Sequence, residues 1–334
     1  MIAALATALV ACSSGHFASN ATASLASPVA KASPANWVTW DGDMAATGYP
    51  GAAALVSKAA AGVPAKAIIP PVSSPHTDIP QYWHDQCLDG TEAATEKVCV
   101  YGDTKNPVLT VAMVGGSVDG NWFPALQQIA AQRRWKLITD LHGTCEWTGA
   151  MLVRPSTGKY TACYQWGRAV LKDLETKMKP DVVIIGGLPE AGTVGDPTPG
   201  SARSMATIAT GMAQYWTDLE KHGISVVAMQ ETPVMDFQVS DCVAKYGRTS
   251  VRCMVPATRA IIADPPTVRA ARDTGGKVTV IDMNKFICGP KECAPVVGNI
   301  LVYFDGRHLT ASYSKSMTRY LEPRLLKAAP VLAK

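Results

Sequence analysis

The chain has 334 residues, 47% of them hydrophobic and 17% charged, with a formal net charge of +4; this is too apolar for a disordered protein and enough to bury a sizeable core without disulfides. Lys and Arg are scattered rather than clustered, so the charge pattern argues against a nucleic-acid partner. No apolar run reaches the roughly 18 to 20 residues that a membrane-spanning helix needs, so a multi-pass reading fails.

Residues 1–12 read MIAALATALVAC, an apolar stretch with the length of a signal-peptide core. Leu9-Val10-Ala11-Cys12 resembles a bacterial lipobox, which implies cleavage before Cys12 and a lipid tether outside the cytoplasmic membrane. No Lys or Arg precedes Lys31, so the alternative is that residues 1–12 are the remnant of a membrane helix. Either reading places the rest of the chain on the outer side, membrane-tethered or secreted. Residues 13–86 are rich in Ala, Ser and Pro and read as a tether that buries too little surface to fold alone. Trp37, Trp40 and Tyr49 are points where it could dock, so partial order is expected. The folded domain is expected over residues 87–334.

The eight further cysteines fit an oxidising compartment. Sequence proximity pairs Cys87 with Cys99, Cys145 with Cys163, Cys242 with Cys253, and Cys288 with Cys293. No C-x-x-C and no Cys-His pair stands at ligand spacing, so no metal site is expected.

From about Cys87, apolar strands alternate with amphipathic stretches, the signature of an α/β fold. The spacing predicts strands at 108–114, 135–139, 181–185, 224–229 and 277–281. The first is a continuous apolar run, as in a strand buried on both faces. Helices are expected from about Trp122 to Ala130, Trp166 to Met178, Ser201 to Lys221, Pro265 to Asp273 and Leu309 to Lys327. Together they predict a three-layer α/β/α sandwich with a five-stranded parallel sheet, of flavodoxin-like type.

In open parallel sheets function collects at the carboxyl ends of the strands. The first strand ends in Gly115-Gly116-Ser117-Val118-Asp119-Gly120-Asn121, which puts a hydroxyl at the head of a helix near backbone N–H groups. Ser117 could equally be an N-cap. Before the last helix stands Asp305-Gly306-Arg307-His308-Leu309-Thr310, where one turn supplies a base and a carboxylate to orient it. Neither the P-loop pattern nor a G-x-S-x-G elbow is met. Asp119 could be catalytic or merely favoured by the helix dipole. His142 reads as a solvated loop residue, and Trp122, Trp147 and Trp166 could stack on sugar rings or pack in the core.

A strand-one Ser with a C-terminal D-x-x-H resembles the SGNH (GDSL-type) hydrolases. More closely, VAMVGGSVDGNWFPALQQIAAQRRWKL and CAPVVGNILVYFDGRHLTASYSKSM resemble the first and last blocks of SGNH domains fused behind acyltransferase type 3 membrane domains. The resemblance implies Ser117 as nucleophile, His308 as general base and Asp305 as its orienting partner. Oxyanion donors would be the N–H groups of Ser117, Gly143 and Gly187, the last carried without the side-chain donor usual at that block. No cofactor is implied. The expected function is O-acylation of a cell-envelope glycan through an acyl-enzyme, by a monomer acting with a membrane acyltransferase partner. The alternatives are a carbohydrate ester hydrolase acting on an acyl-ester substrate and a silent glycan-binding module. Gly116 replaces the family's usual Asp, so the nucleophile turn is expected to lack an acceptor, the enzyme to be slow, and Gly116→Asp to raise kcat.

Overall fold

A computed structural model describes residues 47–154, 158–187 and 191–334; the lipobox, Cys12, Trp37 and Trp40 lie outside the described residues. The central sheet contains β1 (Leu88–Asp89), β2 (Cys99–Gly102), β3 (Thr110–Gly116), β4 (Lys136–His142), β5 (Val182–Ile185), β6 (Ser225–Met229) and β7 (Thr279–Ile281). Their order is β1-β4-β3-β5-β6-β7, with β2 antiparallel along the first half of β4. The five strands expected from periodicity form the parallel body, β4-β3-β5-β6-β7. The two extra strands are only two and four residues long, too short to carry a period.

Side chains alternate across the sheet as the pleat requires. Val111, Met113, Val182 and Ile184 enter one core; Ala112, Val114, Val183 and Ile185 enter the other. The first face is covered by α1 (Phe123–Arg133), the second by α2 (Thr161–Asp173), α3 (Ala202–Lys221) and α4 (Pro266–Asp273). The last helix is two, α5 (Ala311–Ser316) and α6 (Thr318–Ala328), both packed on the α1 side. Four disulfides join the pairs expected from proximity. Among the described residues no helix is long and apolar enough to cross a membrane.

Residues 47–86 run along the domain rather than away from it. Gly51 donates its N–H to the Gly298 carbonyl, Ile69 to that of Asn299, and Leu301 to that of Ile69. Asn299 Nδ2 reaches the carbonyls of Gly48 and Pro64, Ala52 and Tyr82 are buried, and Tyr49 packs against the core. Low apolar content is offset here by backbone hydrogen bonds to a distant segment, which composition does not reveal.

Candidate active site

β3 and β5 are neighbours whose following connections leave on opposite sides, so their carboxyl ends flank the switch point of the sheet. Ser117 follows the last residue of β3. The chain then takes a tight turn at Asp119–Trp122 before α1 begins, so Ser117 is not the cap of a helix. Its Oγ lies 2.9 Å from His308 Nε2, across 191 positions of sequence. His308 Nδ1 lies 2.7 Å from Asp305 Oδ2, and Asp305 Oδ1 accepts the N–H groups of Arg307 (2.8 Å) and His308 (2.7 Å). Burial raises the Asp305 carboxyl, but the imidazole and these two N–H groups outweigh it and hold it below the ordinary carboxylate value. An ionised carboxylate can only accept, so Nδ1 carries the proton and Nε2 is free to take one from Ser117.

Four side chains outside this trio hold it in place. Asn121, 2% exposed, grips both sides of His308: Nδ2 donates to the Arg307 carbonyl (3.0 Å) and Oδ1 accepts the Leu309 N–H (2.9 Å). Its second Nδ2 proton goes to Thr232 Oγ1 at 3.1 Å. The His308 ring stacks on Phe304 at 5.4 Å and 10°, and meets the edge of Trp83 at 5.5 Å. Tyr82 donates its hydroxyl to the Ser117 carbonyl at 3.2 Å. Tyr82 and Trp83 come from the Gln81–His84 helix, inside the stretch that reads as tether, and no local signal marks them.

The turn that carries Ser117 is held by a buried carboxylate. Asp119 Oδ2 accepts the Gly116 N–H at 2.7 Å, and Oδ1 accepts the N–H of Gly186, just past β5. Burial pushes Asp119 up to about 7, against the pull of those two N–H groups and with the charge of Glu231 adding to the rise. Glu231, also buried and pushed up to about 7, accepts from the N–H and hydroxyl of Thr267.

Several expectations change. The Gly116 turn does have its acceptor, supplied from three residues downstream by Asp119. A Cβ at Gly116 would stand 2.8 Å from the Cys145 carbonyl oxygen, so Gly116 is a close-approach glycine. Gly143 donates its N–H to the Asp89 carbonyl at 2.9 Å, because β1 pairs with β4 to its last residue; that group is spent and cannot meet an oxyanion. The N–H groups of Ser117 and Gly187 make no hydrogen bond among the described residues. His142 is buried, each ring nitrogen 2.9 Å from a carbonyl oxygen, of Gly143 and of Ala93. Trp122, Trp147 and Trp166 are 2% exposed or less and do not reach solvent to stack on a sugar. The indole N–H groups of Trp147 and Trp166 donate to the Gly167 carbonyl and to Asp140. Among the described residues no three His, Cys, Asp or Glu side chains gather as a metal site.

The model of a family described as the SGNH domain fused to AT3 domains matches residues 85–323. No curated protein matches the chain. Among solved structures, it is similar to the periplasmic domain of a lipopolysaccharide acetyltransferase from Salmonella ser. Paratyphi A, at TM-score 0.51 and 12% identity. That likeness covers 67% of this chain and 86% of the other, and at such identity it speaks to fold.

Proposed function

Since this chain belongs to the family of SGNH domains fused to AT3 domains, we propose that it is a serine acyl-transfer enzyme with Ser117 as nucleophile, His308 as general base and Asp305 as the group that orients His308. The observation that carries this reading is the unbroken relay from Ser117 Oγ through both ring nitrogens of His308 to Asp305. As the Ser117 oxygen bonds to an acyl carbonyl carbon, its proton passes to Nε2, and the imidazolium faces an ionised partner. The carbonyl oxygen becomes an oxyanion, received by the N–H groups of Ser117 and Gly187. Collapse expels the alcohol of the donor ester, which takes the proton back from Nε2. An acceptor hydroxyl then attacks the acyl carbon and gives its proton to His308 Nε2; collapse breaks the bond to Ser117 Oγ, which takes that proton back as the ester product leaves.

The acceptor in this reading is a sugar hydroxyl of a cell-envelope glycan; water in its place gives the hydrolase. A membrane acyltransferase of the AT3 type is the partner that would supply acyl groups, in keeping with the family description. Four disulfides support work outside the cytoplasm. The test is mass spectrometry after brief exposure to an aryl acetate. Expected is an acetyl group on the peptide containing Ser117, absent in Ser117→Ala; acetylation that persists in that variant rejects the assignment.

A further inference from the structure

The relay accounts for proton movement but not for what sets the oxyanion donors. β3 and β5 are adjacent parallel strands, paired through Val114 and Ile185. Beyond that pair each runs into a glycine whose N–H turns to the same carboxylate: Gly116 to Asp119 Oδ2 and Gly186 to Asp119 Oδ1. The following peptide in each strand, at Ser117 and at Gly187, has an N–H with no acceptor among the described residues. Asp119 is 2% exposed, and a Cβ at Gly115 or Gly186 would collide with its carboxylate, so the glycines leave it room for one position.

We propose that Asp119 is a positioning residue whose carboxylate, by accepting the N–H groups just before Ser117 and Gly187, fixes the two peptides that receive the oxyanion. This rests on the acyl-transfer reading above. A carboxylate only accepts, and its charge-assisted hydrogen bonds are shorter and stronger than neutral ones. One rigid group bonded to both strand ends therefore sets the separation of two otherwise independent donors. An amide in its place has one accepting atom and turns an N–H₂ toward the other N–H, so one strand end is released.

The experiment uses the full chain, wild type and Asp119→Asn, with three readings. Acetylation of Ser117 in the wild type comes first; its absence overturns the acyl-transfer reading and the oxyanion role with it. On an aryl acetate, Asp119→Asn is then expected to lose about 10²-fold in kcat, the scale of one lost oxyanion donor, with KM changed less than about threefold. Affinity for a boronic acid, which forms the tetrahedral adduct, falls in parallel. Acylation and boronate binding within about threefold of wild type overturn the proposal while leaving the enzyme reading intact.

The third reading needs no variant at position 119 and so survives a folding failure there. In the wild-type amide NMR spectrum, the Gly116 and Gly186 protons are expected to move together with pH, with one midpoint, as one carboxylate titrates. The charged and titratable groups facing Asp119 are Glu231 beyond β6 and Tyr82. Glu231→Gln removes a like charge, so the shared midpoint moves to lower pH. Separate midpoints for the two glycines, or a midpoint that Glu231→Gln leaves in place, overturn the proposal.

Discussion

Replacing Gly116 by Asp brings the first block closer to the family pattern, yet the structure argues that it damages this protein. A Cβ on Gly116 meets the Cys145 carbonyl oxygen at 2.8 Å, and that oxygen belongs to backbone anchored by a buried disulfide. The steric share alone, isolated by Gly116→Ala, is about 1 to 3 kcal/mol, the usual cost of overpacking a filled site. Asp adds a second charge, since the same Cβ would lie 3.5 Å from Asp119 Oδ2. Two carboxylates ~4 Å apart repel by about 4 kcal/mol at an effective dielectric near 20, a cost capped when one takes up a proton. Gly116→Asp is therefore expected to be less stable than wild type by about 5 to 7 kcal/mol at high pH, where both carboxylates are ionised, and to lose at least ~10-fold in kcat. The gap between the Asp and Ala variants should narrow as pH falls and the pair is protonated. Urea unfolding followed by tryptophan fluorescence, at pH 6 and pH 9 on all three proteins, measures both shares. A Gly116→Asp protein as stable as wild type, with kcat raised, refutes the argument and restores the expectation drawn from the family pattern.

Asn121→Ala strands the Leu309 N–H and removes the Nδ2 donor to the Arg307 carbonyl, on either side of His308; a loss of about 1 to 3 kcal/mol in unfolding free energy is expected, with kcat falling more than KM changes, read by denaturation and by turnover of an aryl acetate. Glu231 has its pKa raised by burial from 4.5 to about 7, so its protonated form favours the fold: that contribution is complete below about pH 4.5 and is lost as pH rises through about 7. Thermal melts at pH 5 and pH 8 should show a lower midpoint at pH 8, and Glu231→Gln should flatten the difference; an unchanged slope counts against it. Non-reducing peptide mapping should recover the four sequential bridges and no free thiol among those eight cysteines.

What could be read from the residues follows from how far each signal reaches. Val111–Val114 and Val182–Ile185 are buried on both faces of a parallel sheet, so their apolar runs identify them without any partner being known. Asp305 and His308 share one turn, which makes their pairing local and legible. Ser117 and His308 are 191 positions apart, and only the resemblance of both blocks to one family joined them. Nothing in the sequence could show that the Gly143 N–H would be consumed by β1, because a two-residue strand leaves no pattern. The same limit hid Asn121 and Tyr82, whose importance lies wholly in contacts made across the fold. Trp147 and Trp166 were ambiguous for another reason: an aromatic residue near a strand end is apolar enough for the core and amphipathic enough for a ligand.

The four disulfides have a consequence for how the molecule is made. Every cysteine in them is bonded to its next neighbour in the chain, at separations of 12, 18, 11 and 5 residues, and no loop encloses another. An oxidant meeting the chain from its N-terminal end finds each pair complete before the next begins. Among these eight cysteines first-come bonding is thus correct bonding, provided that Cys12, which precedes them all, is not present as a free thiol. The bridges also leave the long-range architecture unlinked: none connects the half of the chain that carries Ser117 to the turn that carries His308. Assembly of the relay waits on the sheet and its helices closing without covalent help, so chains fully and correctly oxidised can still be inactive, and thiol counting alone will not report the yield of working protein.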